Sequence, residues 1–511
     1  MTDLIYPTLK LFVYDFQEKF EENQPKIIEN SSSFLQIFQK LPENIRNVII
    51  EVDNENPQAD YLELLDKKQP DQQPIYKFSS TTSGHNLAGF YYPVRLYDTY
   101  SLLLDCSIDD KNSPQLASTS ISILKQKIDE EINNKSVTLR QTWVIAGCLP
   151  NPGERNTEAV AKICYKSLIP DGDWEQDYQE QGFLLGGNIF ELWQYDFNFS
   201  KNNHVIIIFY PNIAIEKTAA TFQFDWLPLF YYRHKIIYAY SQSQAIKQQL
   251  EKNFKIIQEE YIKKFPKKDS QWLNFKQLQE TLVKVQSTLV NYSISLSYLE
   301  NRISTIEINL LNYQRRLVRI KEKATSENLK LFLPSNILSQ LPISVLNLLI
   351  TSTEMYSPVA QLVKIPGFSD LKFLENFSNE VTEKYLLQVQ KDNANLSPGL
   401  RLLENLINSI RGITEINQAE RDRTFQYWAG ILGVGLASAA LGVSVATDKL
   451  DKHANDPVRS QLNKWMLTNK SMQEPQPWWF EPAIPLIYGV GVGFIFAVLT
   501  WLLISLQQRS R

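Results

Sequence analysis

Cysteine is scarce in this chain. Cys106, Cys148 and Cys164 are scattered and odd in number, which excludes a disulfide scaffold and points to a reducing compartment around the residues that carry them. Histidine is as rare. His85, His204, His234 and His453 stand apart from one another and from the cysteines, so no metal-ligand spacing appears. Basic excess is missing too: the net charge is −4, which gives no global field for nucleic acid. The start, MTDLIYPTLKLFVYDF, lacks a basic stretch followed by an apolar one, so no signal peptide is expected. The glycine-containing run Gly182 to Asn188 lacks the Lys-Ser/Thr of a phosphate loop and reads as a hairpin turn. No nucleophile, base and orienting group share a recognisable spacing, so no enzyme is expected and no cofactor is identified. Asp109-Asp110 and Glu130-Glu131 read as solvated faces. His234 beside Arg233, in an aromatic segment, reads as a structural histidine, with contact to an anionic ligand as the alternative.

What the chain does have is long-range periodicity. Apolar or aromatic residues fall at Phe275, Leu278, Leu282, Val285, Leu289, Tyr292, Leu296, Leu299, Ile303, Ile306, Leu310, Tyr313, Leu317 and Ile320, in alternating steps of three and four. That spacing predicts one helix with a continuous seam, on the order of 70 Å long. A second partial stripe, Val283, Val290, Ile294, Ile308, Leu311 and Val318, lies off the seam and predicts a further neighbour, as in a bundle.

The fold class expected is α+β, with an N-terminal α/β head over 1–240. Strands are expected at Leu9 to Phe16, Val48 to Val52, Tyr91 to Leu96, Ser101 to Cys106, Thr142 to Cys148 and Val205 to Tyr210, and a helix at Ser118 to Asn133. Phe224 to Tyr240 is dense in aromatics and ends the head, and a helix then runs from about Ser241 to Lys264. Long helices and a coiled-coil-like stalk occupy 241–397. Ser397-Pro398 is a helix start signal, and 398–447 reads as one stalk helix continuing into a first membrane span.

Charge is absent from Tyr427 to Thr447 and from Ala483 to Leu506, each long enough to cross a bilayer core of about 30 Å. Two C-terminal transmembrane helices are therefore expected, with 448–481 as an outer loop and 482–511 as the second span and a basic tail. Arg421, Arg423, Arg509 and Arg511 place both termini in the cytoplasm, in a multi-pass protein of the inner (plasma) membrane. Gly435, Ala439, Gly442 and Ala446 share one face of the first span, which is either a helix-packing face or a pore wall in a ring of subunits. Asp448 and Asp451 follow it and are either loop charges or acidic rings at a pore mouth.

This layout resembles the CorA-like family of divalent-cation transporters: cytosolic α/β head, long stalk helices, a first span continuous with the stalk, a short outer loop and a second span at the C-terminus. The resemblance implies a homopentameric membrane channel conducting magnesium or a related divalent cation, gated by its head. The family signature Gly-Met-Asn is absent, and Val445-Ala446-Thr447-Asp448 stands in its place, so ion selectivity does not carry over. Passive cation conduction is the function expected from the layout, with a small-molecule ligand at the head. The alternatives are a signal-gated effector channel of a defence system and a non-conducting, membrane-anchored coiled-coil binding protein.

Overall fold

Short runs of β-branched and aromatic residues build a large sheet. The computed structural model describes residues 3–16, 18–20, 27–29, 40–65, 74–109, 114–132, 139–149, 157–194, 203–262, 275–332 and 369–418. Its strands are β1 (Asp3–Phe16), β2 (Glu18–Phe20), β3 (Ile27–Glu29), β4 (Tyr61–Glu63), β5 (Tyr76–Thr82), β6 (His85–Leu96), β7 (Thr99–Ile108), β8 (Gln115–Leu116), β9 (Arg140–Cys148), β10 (Tyr178–Leu184), β11 (Gly187–Gln194) and β12 (Asn203–Tyr210). The helices are α1 (Glu43–Glu55), α2 (Ala117–Ile132), α3 (Thr157–Leu168), α4 (Trp174–Asp177), α5 (Ile213–Ala220), α6 (Gln223–Ile256), α7 (Phe275–Phe332), α8 (Lys372–Glu380), α9 (Leu387–Leu396) and α10 (Pro398–Gln418).

Ten strands form one sheet in the order β10-β11-β12-β9-β1-β7-β6-β4, with β5 beside β6 and β8 beside β1. The pairs are antiparallel except β12 with β9, the two apolar runs VIIIFY and TWVIAGC, which run parallel in the middle of the sheet. Their continuous apolar character fits strands covered on both faces. On one face Leu9, Leu11 and Val13 of β1, Leu102 and Leu104 of β7, Ile145 of β9 and Ile207 of β12 join Ile121, Leu124 and Ile128 of α2 and Val160, Ala161 and Cys164 of α3 in the main core. The other face is covered by α5 and α6.

The run VIIEV, expected as a strand, lies inside α1. Of that helix only Ile49 is buried, and so short an apolar run fits a helical turn as well as a strand. The helix expected from Ser241 begins at Gln223, with Pro228 in its second turn. Every residue from Trp226 to His234 is buried, as in a helix covered on all sides, so the segment that ends the head is already the start of this helix. The hairpin of β10 and β11 turns through Leu185 (φ 50°) and Gly186 (φ 79°), both left-handed, as a two-residue turn matched to strand twist requires. A Cβ on Gly182 would lie 2.4 Å from the Asp370 carbonyl oxygen, so only glycine lets that segment pair with Phe183 at the sheet edge.

The chain divides into two units, 1–248 with 297–395 and 249–296 with 396–511. In the first, α7 buries Leu299, Ile306, Leu310, Tyr313, Leu317 and Ile320, and Tyr313 donates to the Leu374 carbonyl at 2.9 Å. In the second, it buries Leu278, Leu282, Val285, Tyr292 and Leu296, and Tyr292 donates to the Leu396 carbonyl at 2.6 Å. The second stripe is exposed among the described residues: Val283 is 66% exposed and Ile308 61%, and Val290, Ile294, Leu311 and Val318 are exposed as well.

The expected membrane architecture is corrected. Among the described residues no helix is long and apolar enough to cross a membrane. The longest, α7, is 58 residues but amphipathic, with charged side chains along its length. The two expected transmembrane helices, Tyr427 to Thr447 and Ala483 to Leu506, lie outside the described residues, and α10 is described only to Gln418. The two-span fold class, the multi-pass inner-membrane placement with cytoplasmic termini, and the membrane and ion-channel character drawn from them are therefore without structural support and are set aside.

Candidate functional site

Two polar clusters share the α5–α6 face of the sheet. The first begins with alternation along β1, which puts Thr8, Lys10 and Phe12 on one side. Strand register then sets Lys10 opposite Asp105 of β7 and Val144 of β9, and Thr8 opposite Ser107 and Ala146. Next to β9, Ala146 faces Ile208 of β12. These side chains floor a cavity of about 190 Å³, roofed by Glu216, Ala219 and Ala220 of α5 and by Gln223 and Trp226 of α6. Tyr6, Phe90 and Tyr210 complete its rim, with Lys217, which is exposed.

The β1–β9 ladder slips between Ile5 and Thr8, and Tyr6 there has φ 53°. Pro7 cannot donate to a central ladder, so the chain bulges at this point. The bulge places Tyr6 at the cavity, and strain of this kind gathers where a surface must be re-aimed.

The charges are unevenly satisfied. Lys10 forms an ion pair with Asp105 and also donates to Gln223 Oε1 at 2.9 Å. Glu216 is only 6% exposed, and among the described residues the one hydrogen bond to its carboxylate comes from the Cys148 thiol, Sγ to Oε2 3.4 Å. Burial pushes Glu216 up to about 7; the Cys148 hydrogen bond and the Lys10 charge oppose that rise, and Asp105 adds to it. Cys148 is itself driven up by burial and by Glu216, so it stays a thiol. The α5 N-terminus is fixed by Asn212, whose side chain accepts from the Ile215 amide at 3.0 Å.

The second cluster is closed. Arg233 of α6 is 2% exposed and lies between the Trp193 ring (4.5 Å to its centroid) and the Phe377 ring (4.3 Å). Its Nη2 is 3.5 Å from Glu191 Oε1, and Glu191 is 3.0 Å from His204 Nε2. His204 Nδ1 is 3.0 Å from Thr142 Oγ1, which is 2.8 Å from His234 Nε2. Burial lowers both imidazoles well below their usual range, with the Arg233 charge adding to the effect, so both are neutral. Burial raises Glu191, and Arg233 opposes it. Arg233 is permanently charged and Glu191 is the carboxylate beside it, which keeps Glu191 an acceptor. The chain then has one direction: His204 Nε2–H donates to Glu191, Thr142 donates to His204 Nδ1, and His234 Nε2–H donates to Thr142. That assignment leaves His234 Nδ1 as a bare acceptor; among the described residues it has no hydrogen-bond partner, and neither do Arg233 Nε and Nη1.

His204 and His234, which stand apart in sequence, thus meet through one threonine. No signal in the chain marks this, because Thr142, Glu191, His204 and Arg233 come from three strands and a helix. Lys10, Asp105 and Glu216 were missed for the same reason. The sequence-expected site residues Gly435, Ala439, Gly442, Ala446, Asp448 and Asp451 lie outside the described residues. Among the described residues no group of three or more His, Cys, Asp or Glu side chains could hold a metal ion.

No family model, curated protein or solved structure matches this chain. Function is therefore argued from the geometry alone.

Proposed function

We propose that the sheet-bearing unit is a binding module that takes a small molecule in the cavity between β1, β7, β9 and the α5–α6 corner. The observation that carries this reading is the pairing of an open volume of about 190 Å³ with a buried carboxylate whose one hydrogen bond among the described residues is to a thiol. A buried polar group left without partners costs about 1–3 kcal/mol, so this carboxylate favours an occupant that can donate to it. An engineered cavity of about 150 Å³ accepts benzene, so this one suits a molecule of roughly eight non-hydrogen atoms.

Binding is favoured over turnover. Neither His204 nor His234 lines the cavity, and the Cys148 thiol is held protonated. The α5–α6 corner is the element an occupant would move. It is braced by Lys323 of α7, which donates to the Thr221 carbonyl at 3.0 Å and pairs with Asp225 at 2.6 Å. Conduction across a membrane forms no part of this reading.

A thermal-shift screen of molecules up to about ten non-hydrogen atoms tests it, run on the wild type and on Ala220→Trp, which fills the roof of the cavity. Stabilising compounds are expected with the wild type and lost with Ala220→Trp. Compounds that stabilise both proteins equally, or none at all, would overturn the proposal.

A further inference from the structure

We infer that the cavity selects a small aromatic or aliphatic molecule carrying a protonated amine, held by Glu216. This deepens the binding-module reading and rests on it. The cavity is lined by two carboxylates, the buried Asp105 and Glu216, and by two ammonium groups, the half-buried Lys10 and the exposed Lys217 at its rim. The Lys10 ammonium is already shared between Asp105 and Gln223, so its charge is spent within the wall. Among the described residues Glu216 has only the Cys148 thiol, a weak donor. An incoming cation would therefore find one under-satisfied negative group inside the cavity, and an incoming anion would find only Lys217, a solvated ammonium at the rim. Aromatic residues reinforce the choice: Tyr6, Phe12, Phe90, Tyr210 and Trp226 contribute to the wall. Ring faces attract ammonium groups within about 6 Å of their centroids. A charge-assisted hydrogen bond from an ammonium to a carboxylate is also about twice as strong as one from a neutral hydroxyl.

The occupant sets the protonation of Glu216. The groups facing it are Cys148 from β9, Lys10 from β1 and Asp105 from β7, with Tyr210 from β12 close to the same carboxylate. Burial brings Glu216 to about 7, so amine binding is expected to weaken as the solution is made acidic.

Calorimetric titration of the full chain with benzylamine, benzyl alcohol and benzoate at pH 8 tests the inference. Benzylamine is expected to bind at least tenfold more tightly than benzyl alcohol, and benzoate not at all. Glu216→Gln should bring amine and alcohol to within about twofold of each other. If that variant does not fold, the wild type alone decides, because its benzylamine affinity should fall at least tenfold from pH 8 to pH 5.5. Benzyl alcohol or benzoate binding as tightly as benzylamine would overturn the amine preference and leave the cavity as a binding site. An amine preference that survives in Glu216→Gln, or that is the same at both pH values, would remove Glu216 from the role. No binding of any of the three would overturn the inference and the binding-module reading together.

Discussion

The two polar clusters lie on one face of one sheet, under the same helix, yet differ in how their groups are used. In the closed chain Glu191, His204 and Thr142 link Arg233 to His234, and the atoms left without a hydrogen-bond partner among the described residues, Arg233 Nε and Nη1 and His234 Nδ1, belong to residues that do not line the cavity. Around Glu216 the partners stop at a thiol and the space beyond is open. A buried polar network enclosed by protein fixes structure; a group left short of partners beside a cavity is available to an occupant. The comparison predicts that damage to the first cluster appears as lost stability, and damage to the second as lost binding and altered pH dependence.

Glu191→Leu should have the largest effect. It strands the Arg233 charge between two aromatic rings, and breaking such a pair costs on the order of 3–5 kcal/mol. Chemical denaturation measures it, and Glu191→Leu with Arg233→Met should recover most of the loss. A cost below about 1 kcal/mol for the single change would mean the closed cluster is not a stability element.

The next effect is on the pH profile. Glu216 is raised in the folded chain to about 7 from an ordinary 4.5, so the folded state holds that proton more tightly than the unfolded one. Its contribution is fully present below pH 4.5 and is lost as pH rises through 7, on the order of 3 kcal/mol in all. His204 and His234 act the other way. Their lowered values give stability that is present above pH 6.5 and lost as pH falls below it. Glu216→Gln should therefore be more stable relative to wild type at pH 8 than at pH 5, as read from denaturation midpoints. A constant difference would show that Glu216 is not perturbed.

Thr142→Val keeps the shape and removes the hydroxyl that both imidazoles share. About 1–3 kcal/mol should be lost, because two buried ring nitrogens are left without it. Benzylamine affinity should stay within about twofold of wild type, which separates the two clusters directly. The smallest effect belongs to the exposed stripe of α7. Ile308→Ser should stay within about 0.5 kcal/mol of wild type, since no described element covers that position. A larger loss would point to a neighbour beyond the described residues.

Much of the sheet was legible in the sequence because strand signals are local. TWVIAGC, VIIIFY and SLLLDC are each short, apolar and β-rich, and the Gly182 to Asn188 run carries its own turn chemistry. VIIEV misled because a strand and a turn of helix bury the same few residues. The start of α6 was placed late, at Ser241, because the aromatic stretch before it is buried all round and carries no amphipathic period. The binding cavity was invisible for a different reason. Lys10 and Asp105 are 95 residues apart and meet only through the β1–β7 register, and Glu216 arrives from a helix beyond β12. The uncharged C-terminal runs show the opposite weakness: a compositional signal strong enough to suggest two membrane spans and a family resemblance, with no helix among the described residues that could cross a membrane.

The most direct test of the open cluster is calorimetric titration of benzylamine, run side by side on the wild type and Ala220→Trp at pH 8. A saturable one-to-one heat with the wild type and none with the filled variant is the result expected. Equal heats from both proteins, or none from the wild type, would contradict the claim that the space beside Glu216 is a ligand site.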